Sequence, residues 1–102
     1  MIFAATAIWT ITAFGYGCDC TPGARTKAGT LPVSGHTIAA DPAVLPLGSI
    51  VWIEGLGQRQ VHDVGSAVKG KHIDVFMDSC REARAWGRRT RKVRVIHRPF
   101  TK

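Results

Sequence analysis

Acid is scarce in this chain: 7 Asp and Glu stand against 14 Lys and Arg over 102 residues, for a formal net charge of +7. So few carboxylates can be weighed one at a time. The chain is also short. A protein of this size buries only roughly 60–70% of its unfolded surface, which allows one modest core and excludes a multidomain enzyme. No strand–helix alternation is visible, so a nucleotide-binding doubly wound sheet is excluded, as are a coiled coil and a collagen-like repeat. Cysteine is limited to Cys18, Cys20 and Cys80. The odd count argues against a disulfide framework. Cys18 and Cys20 are too close for an easy bridge; either can pair with Cys80 in an oxidising compartment, and free thiols are the simpler expectation. Zinc-type C-x-x-C pairs and spaced histidines are missing, so no metal is expected. The first charge is Asp19. Met1 to Gly17 lacks the basic start of a signal segment, and Thr6, Thr10 and Thr12 interrupt its apolar run. It is therefore read neither as an export signal nor as a membrane span. Action outside the cell would need another route or a preceding segment.

What is present is globular: 45% hydrophobic residues and 21% charged ones. Eleven Gly and five Pro give many turns, which suits short strands. Trp9, Ile11 and Ala13 alternate with Thr10 and Thr12, the period of a half-buried first strand. Gly15 to Ser34 is turn-rich and reads as a long loop, a feature often functional in small domains. Strands follow at Thr37 to Ala40, Ser49 to Glu54, Arg59 to Val64 and His72 to Met77, with a hairpin turn at Gly55-Leu56-Gly57 and a loop over Gly65 to Gly70. Ser79-Cys80-Arg81-Glu82 matches a capping box and predicts a helix to about Trp86, with Cys80, Ala83 and Trp86 inward and Gly87 at its end. Arg91 to His97 closes the chain as a strand with Val93 and Val95 inward. The expectation is an all-β fold, one small six-stranded barrel domain over residues 1–102 with one short helix.

Charge is uneven. Residues 81–102 carry nine basic groups and one acidic one, Glu82, whereas residues 1–80 are nearly balanced. A polyanion is the natural partner of the basic end. Among the carboxylates, Asp19 and Glu54 read as solvated, and Asp78 and Glu82 serve the helix start. Asp41, Asp63 and Asp74 remain. Asp74 lies between Ile73 and Val75-Phe76, and an unpartnered carboxylate in such a strand costs several kcal/mol. Turned into a groove, it keeps its proton to higher pH, as a general acid requires. Turned outward, it pairs with Lys71 or an arginine.

An ordered set of motifs bears on that choice. Gly35-His36-Thr37-Ile38-Ala39-Ala40-Asp41-Pro42 comes first, then Leu45-Pro46-Leu47-Gly48-Ser49. His62-Asp63-Val64-Gly65-Ser66-Ala67-Val68-Lys69-Gly70 follows, then His72-Ile73-Asp74-Val75-Phe76, Glu82-Ala83 and Trp86-Gly87. Over residues 8 to 97 this resembles the three-aspartate (3D) domain, a double-psi β-barrel of bacteria and phages, with Asp41, Asp63 and Asp74 at its three named positions. The family is similar to the catalytic domain of membrane-bound lytic transglycosylase A and, more distantly, to rare lipoprotein A and expansins.

The resemblance implies a peptidoglycan lytic transglycosylase. Such an enzyme cleaves the bond between N-acetylmuramic acid and N-acetylglucosamine without water and leaves a 1,6-anhydro-muramoyl end. It implies Asp74 as acid/base with Asp63 beside it, and no cofactor. Asp41, Thr37, Ser66 and Gly65 are the candidate substrate-binding residues, with Asp41 mainly structural. The usual Asp-Thr-Gly-Gly run of the family is Asp63-Val64-Gly65-Ser66 here; Ser66 restores a hydroxyl that Val64 lacks. His62 is left open between facing the groove and flanking it. The expected setting is the cell wall or an extracellular or periplasmic site. The expected partners are glycan strands and, through the basic end, anionic wall polymers, with the chain a monomer.

Two rivals belong to other classes. An aspartic protease would use Asp63-Val64-Gly65-Ser66 in a dimer, but Val64 stands where that signature has Thr or Ser. A non-catalytic cell-wall or glycan-binding barrel would grip without cutting. Specific nucleic-acid binding is not expected, since Trp9, Trp52 and Trp86 fall in predicted core elements and leave no stacking platform.

Overall fold

The computed structural model of the protein describes residues 6–16 and 23–99. Six strands form a closed barrel, with one short helix. In chain order they are β1 (Thr6–Gly15), β2 (Thr37–Ala40), β3 (Ile50–Ile53), β4 (Gly57–Asp63), β5 (His72–Met77), α1 (Cys80–Trp86) and β6 (Arg89–His97). Around the ring the order is β1-β5-β2-β4-β3-β6. The β1–β5 and β2–β4 pairs are parallel and the others antiparallel. The expected all-β six-stranded barrel with one helix is what forms, with strand ends shifted by one to two residues at β3, β4 and β6.

Alternation builds the interior. Trp9 and Ile11 from β1, Ile38 and Ala40 from β2, Val51 and Ile53 from β3, Val61 from β4, Ile73 and Val75 from β5 and Val93 from β6 form one buried cluster. Leu45, from the turn after β2, closes it and is fully buried. Burying each large aliphatic side chain stabilises the fold by about 1.5–3 kcal/mol. A second cluster lies outside the ring: Phe14, Phe76 and Ala39, with Tyr16 against them. Its rings meet edge to face, with centroids 5.4 Å apart for Phe14–Phe76 and 5.1 Å for Tyr16–Phe76.

The helix follows its sequence signals. Ser79 caps it, its Oγ accepting from the Glu82 N–H at 3.2 Å, and Gly87 ends it at φ 67°, where glycine is the unstrained choice. The Trp86 Nε1–H donates to the Ile11 carbonyl at 3.0 Å and ties the helix to β1.

Two expectations are corrected. Cys80 is disulfide-bonded and is not a free thiol; Cys18 and Cys20 lie outside the described residues. Trp52 is not a core residue but points outward, 36% exposed, with the Arg94 guanidinium 5.7 Å from its ring centroid. The strand alternates Val51 and Ile53 inward, which forces Trp52 to the other face.

Candidate functional site

Strand register places the two central carboxylates in one row. Thr12 of β1 stands opposite Asp74 of β5, Asp74 opposite Ala39 of β2, and Ala39 opposite Asp63 of β4. Paired residues share a face, and Ile73 and Val75 fill the interior, so Asp74 points to the outside of the ring. Two strand spacings separate Asp63 from Asp74, about 10 Å between their Cα atoms. Ala39 lies between them with only a methyl group, so the floor stays low.

Simple alternation would not bring Asp63 there. Val61 points into the core, so two residues later Asp63 would point inward as well. The register instead shifts: Ile38 pairs Val61 and Ala39 pairs Asp63, leaving His62 as an extra residue. This β-bulge re-aims Asp63 to the face that carries Asp74, a common use of bulges beside functional sites.

A groove of about 340 Å³ opens along this row, lined by Thr12, Phe14, Ala39, Asp63, His72 and Asp74 and walled by the Val64–Val68 loop. The loop folds tightly on itself: a Cβ on Gly65 would come within 2.9 Å of Val68 Cγ2. Asp63 Oδ1 accepts from the Lys27 N–H and the Val64 N–H, both at 3.0 Å, which fixes the carboxylate. The described part of the segment before β2, residues 23–36, thus contributes through its backbone, and Ala28 N–H also donates to the bulge carbonyl of His62 at 2.9 Å. Thr12 Oγ1 donates to Asp74 Oδ1 at 2.9 Å and lies 2.7 Å from His72 Nε2.

The remaining candidates sit apart from this row. Gly65 lines the groove, and Ser66 is exposed between Gly65 and Ala67, which both line it. Asp41 accepts from the Ala43 N–H at 3.0 Å and the Gly70 N–H at 2.9 Å, joining the turn after β2 to the end of the groove loop. Those two bonds, Gly70 first, hold its carboxyl below the ordinary value of 3.8. Thr37 is fully buried; its Oγ1 accepts from the Val33 N–H at 2.9 Å and meets His62 Nδ1 at 3.3 Å. His62 therefore flanks the groove. Its Nε2 lies 3.2 Å from Gln60 Oε1 and its ring packs edge to face on His36. Burial, then the His36 charge, pushes His62 below the ordinary 6.5.

Thr12, Phe14 and His72 were missed as site residues. The signal was present: Thr10 and Thr12 alternate with core residues on β1, and His72 stands two places before Asp74. Among the described residues no group of three or more His, Cys, Asp or Glu is placed to hold a metal ion.

The chain is similar to the "Cell wall-binding protein YocH" of Bacillus subtilis (strain 168), 48% identical over 60 residues; these are 59% of this chain and 21% of that protein. It thus spans about one fifth of that relative. Its fold is similar to MltA from E. coli, with a TM-score of 0.63 and 21% identity over 79% of this chain and 29% of the other. E. coli MltA with bound chitohexaose gives the same TM-score at 20% identity, covering 76% and 28% of the two chains. A family model described as "3D domain" matches residues 36–97, more than half of the sequence and the span that holds Asp41, Asp63 and Asp74, and the chain belongs to that family.

Proposed function

We propose that this chain is a lytic transglycosylase that cleaves peptidoglycan glycan strands between N-acetylmuramic acid and N-acetylglucosamine. The observation that carries this reading is one groove onto which both Asp74 and Asp63 open, with Ala39 as its low floor. A fold shared with MltA, which is solved with chitohexaose, supports a glycan as occupant. Asp74, protonated, donates to the bridging oxygen as the bond to C1 breaks. Positive charge develops at C1, and the Asp63 carboxylate, fixed by two N–H donors, stabilises it. Asp74, now ionised, takes the proton from the C6 hydroxyl as that oxygen bonds to C1. The ring closes to a 1,6-anhydro end and Asp74 regains its proton. No water is positioned, so the paired-carboxylate spacing of ordinary glycosidases is not needed. Gly65 and Ser66 contact sugar from the groove wall, while Asp41 and Thr37 hold the loops that shape it. The site of action is the cell wall.

A second reading, a wall-binding module that does not cut, is favoured by the name of YocH and by the exposed Trp52 beside Arg94. In it the basic face holds anionic wall polymers. Mass spectrometry of sacculi digested by the chain and by Asp74→Asn separates the two. Anhydro-muropeptides from the parent alone are expected. Their absence from both would leave the binding module, and reducing-end products would make the chain a hydrolase.

A further inference from the structure

A polar chain on β1 and β5 is not used by the mechanism above. In this parallel pair Thr10 stands opposite His72 and Thr12 opposite Asp74. Residues two apart on a strand share a face, so His72 and Asp74 both flank the Thr12 hydroxyl. Oγ1 is 2.9 Å from Asp74 Oδ1 and 2.7 Å from His72 Nε2. A threonine hydroxyl has a single proton. Donated to Asp74 Oδ1, it is not available to His72, and the 2.7 Å contact then requires a proton on Nε2. The reverse arrangement has a bare Nε2 drawing the Thr12 proton, and Oδ1 would then carry the carboxyl proton itself. The two arrangements differ in which oxygen of Asp74 can be the acid.

We infer that His72 is a positioning residue for Asp74: its Nε2–H directs the Thr12 hydroxyl onto Oδ1, so Oδ1 is held as an acceptor and the acid proton is confined to Oδ2. The inference rests on the reading of Asp74 as the acid. It fixes one oxygen both to release a proton to the glycosidic bridge and to receive one from C6. Protonating the imidazole leaves Nε2 a donor, so the direction of the chain is the same for neutral and charged His72.

The test combines a spectroscopic signature with turnover, in the full chain. With 15N-labelled histidine, neutral His72 is expected wholly as the Nε2–H tautomer, and Thr12→Val and Asp74→Ala are each expected to give a mixture of tautomers. An Nδ1–H form in the parent overturns the inference, as does a His72 spectrum indifferent to both substitutions. In sacculus digestion, His72→Gln keeps an N–H donor of similar reach and is expected within about threefold of the parent kcat, whereas His72→Phe loses about tenfold with KM unchanged. Thr12→Val is expected to match His72→Phe, and Thr12→Ser to restore the parent rate. Equal losses in the Gln and Phe variants overturn the positioning role. A parent that does not cut sacculi removes the acid role of Asp74, while the tautomer measurement still decides whether His72 directs Thr12.

Discussion

Across β1, β5, β2 and β4 the outward row reads Thr12, Asp74, Ala39, Asp63; across β1, β6, β3 and β4 a second outward row reads Thr6, Arg94, Trp52, Gln58. Both rows wrap the same core and run between the same two strands in opposite directions. The first pairs acids with a hydroxyl and a methyl group and is recessed. The second pairs a cation with a large exposed ring and protrudes. Each lies beside a bulge, with His62 extra in β4 and Ile96 extra in β6. The first bulge turns an acid onto its row; the second leaves Ile96 51% exposed on the basic side. The interior sets the barrel, and the outward positions separately set what each side can do. Cutting and holding are therefore expected to be separable by substitution.

The largest effect that would sharpen this contrast comes from Asp74→Asn. Loss of the acid is expected to lower anhydro-muropeptide release by about 10²–10⁴-fold, with retention on sacculi and thermal unfolding unchanged. Loss of retention together with cleavage would break it. Next is Ala39→Leu, which raises the groove floor between the carboxylates; cleavage is expected to fall by about 10²-fold, again with retention kept. On the opposite side, Trp52→Ala with Arg94→Glu is expected to weaken retention on sacculi about tenfold and to flatten its salt dependence, while cleavage of short soluble glycans stays at the parent level.

The smallest effect is on stability with pH. The folded state holds His62 below its ordinary 6.5, so its contribution is fully present above that value and is lost as pH falls through the folded pKa. Asp41 acts in the same direction in a lower window, below 3.8. The melting temperature of the parent is expected to fall between pH 7.5 and pH 5 by more than that of His62→Asn. Parallel curves would show that the His36–His62 pair has no such role.

Much of the barrel is legible in the amino-acid sequence. Alternation in Trp9 to Ala13 marks β1, the apolar run around Asp74 marks β5, and Ser79 with Gly87 mark the helix ends, because these are local signals. Asp74 stood out because a charge inside an apolar strand is costly. The bulge at His62 was not legible, since it depends on how β4 pairs with β2 and not on the residues of β4 alone. Trp52 was misplaced because four apolar residues in a row, Ile50 to Ile53, hide the period of two. The disulfide of Cys80 is not fixed by spacing, because three cysteines leave the pairing open. Thr12 and His72 carried a signal that only the β1–β5 register makes meaningful.

The closed ring has a consequence for recognition. Among the described residues every strand has a neighbour on both sides over part of its length, which leaves only short edges on which a foreign strand can be templated. Along the paired stretches this disfavours peptide capture by strand addition and edge-to-edge stacking of copies. Recognition then falls mainly to the outward side chains, and selectivity can be rewritten residue by residue without touching the hydrogen-bonded frame.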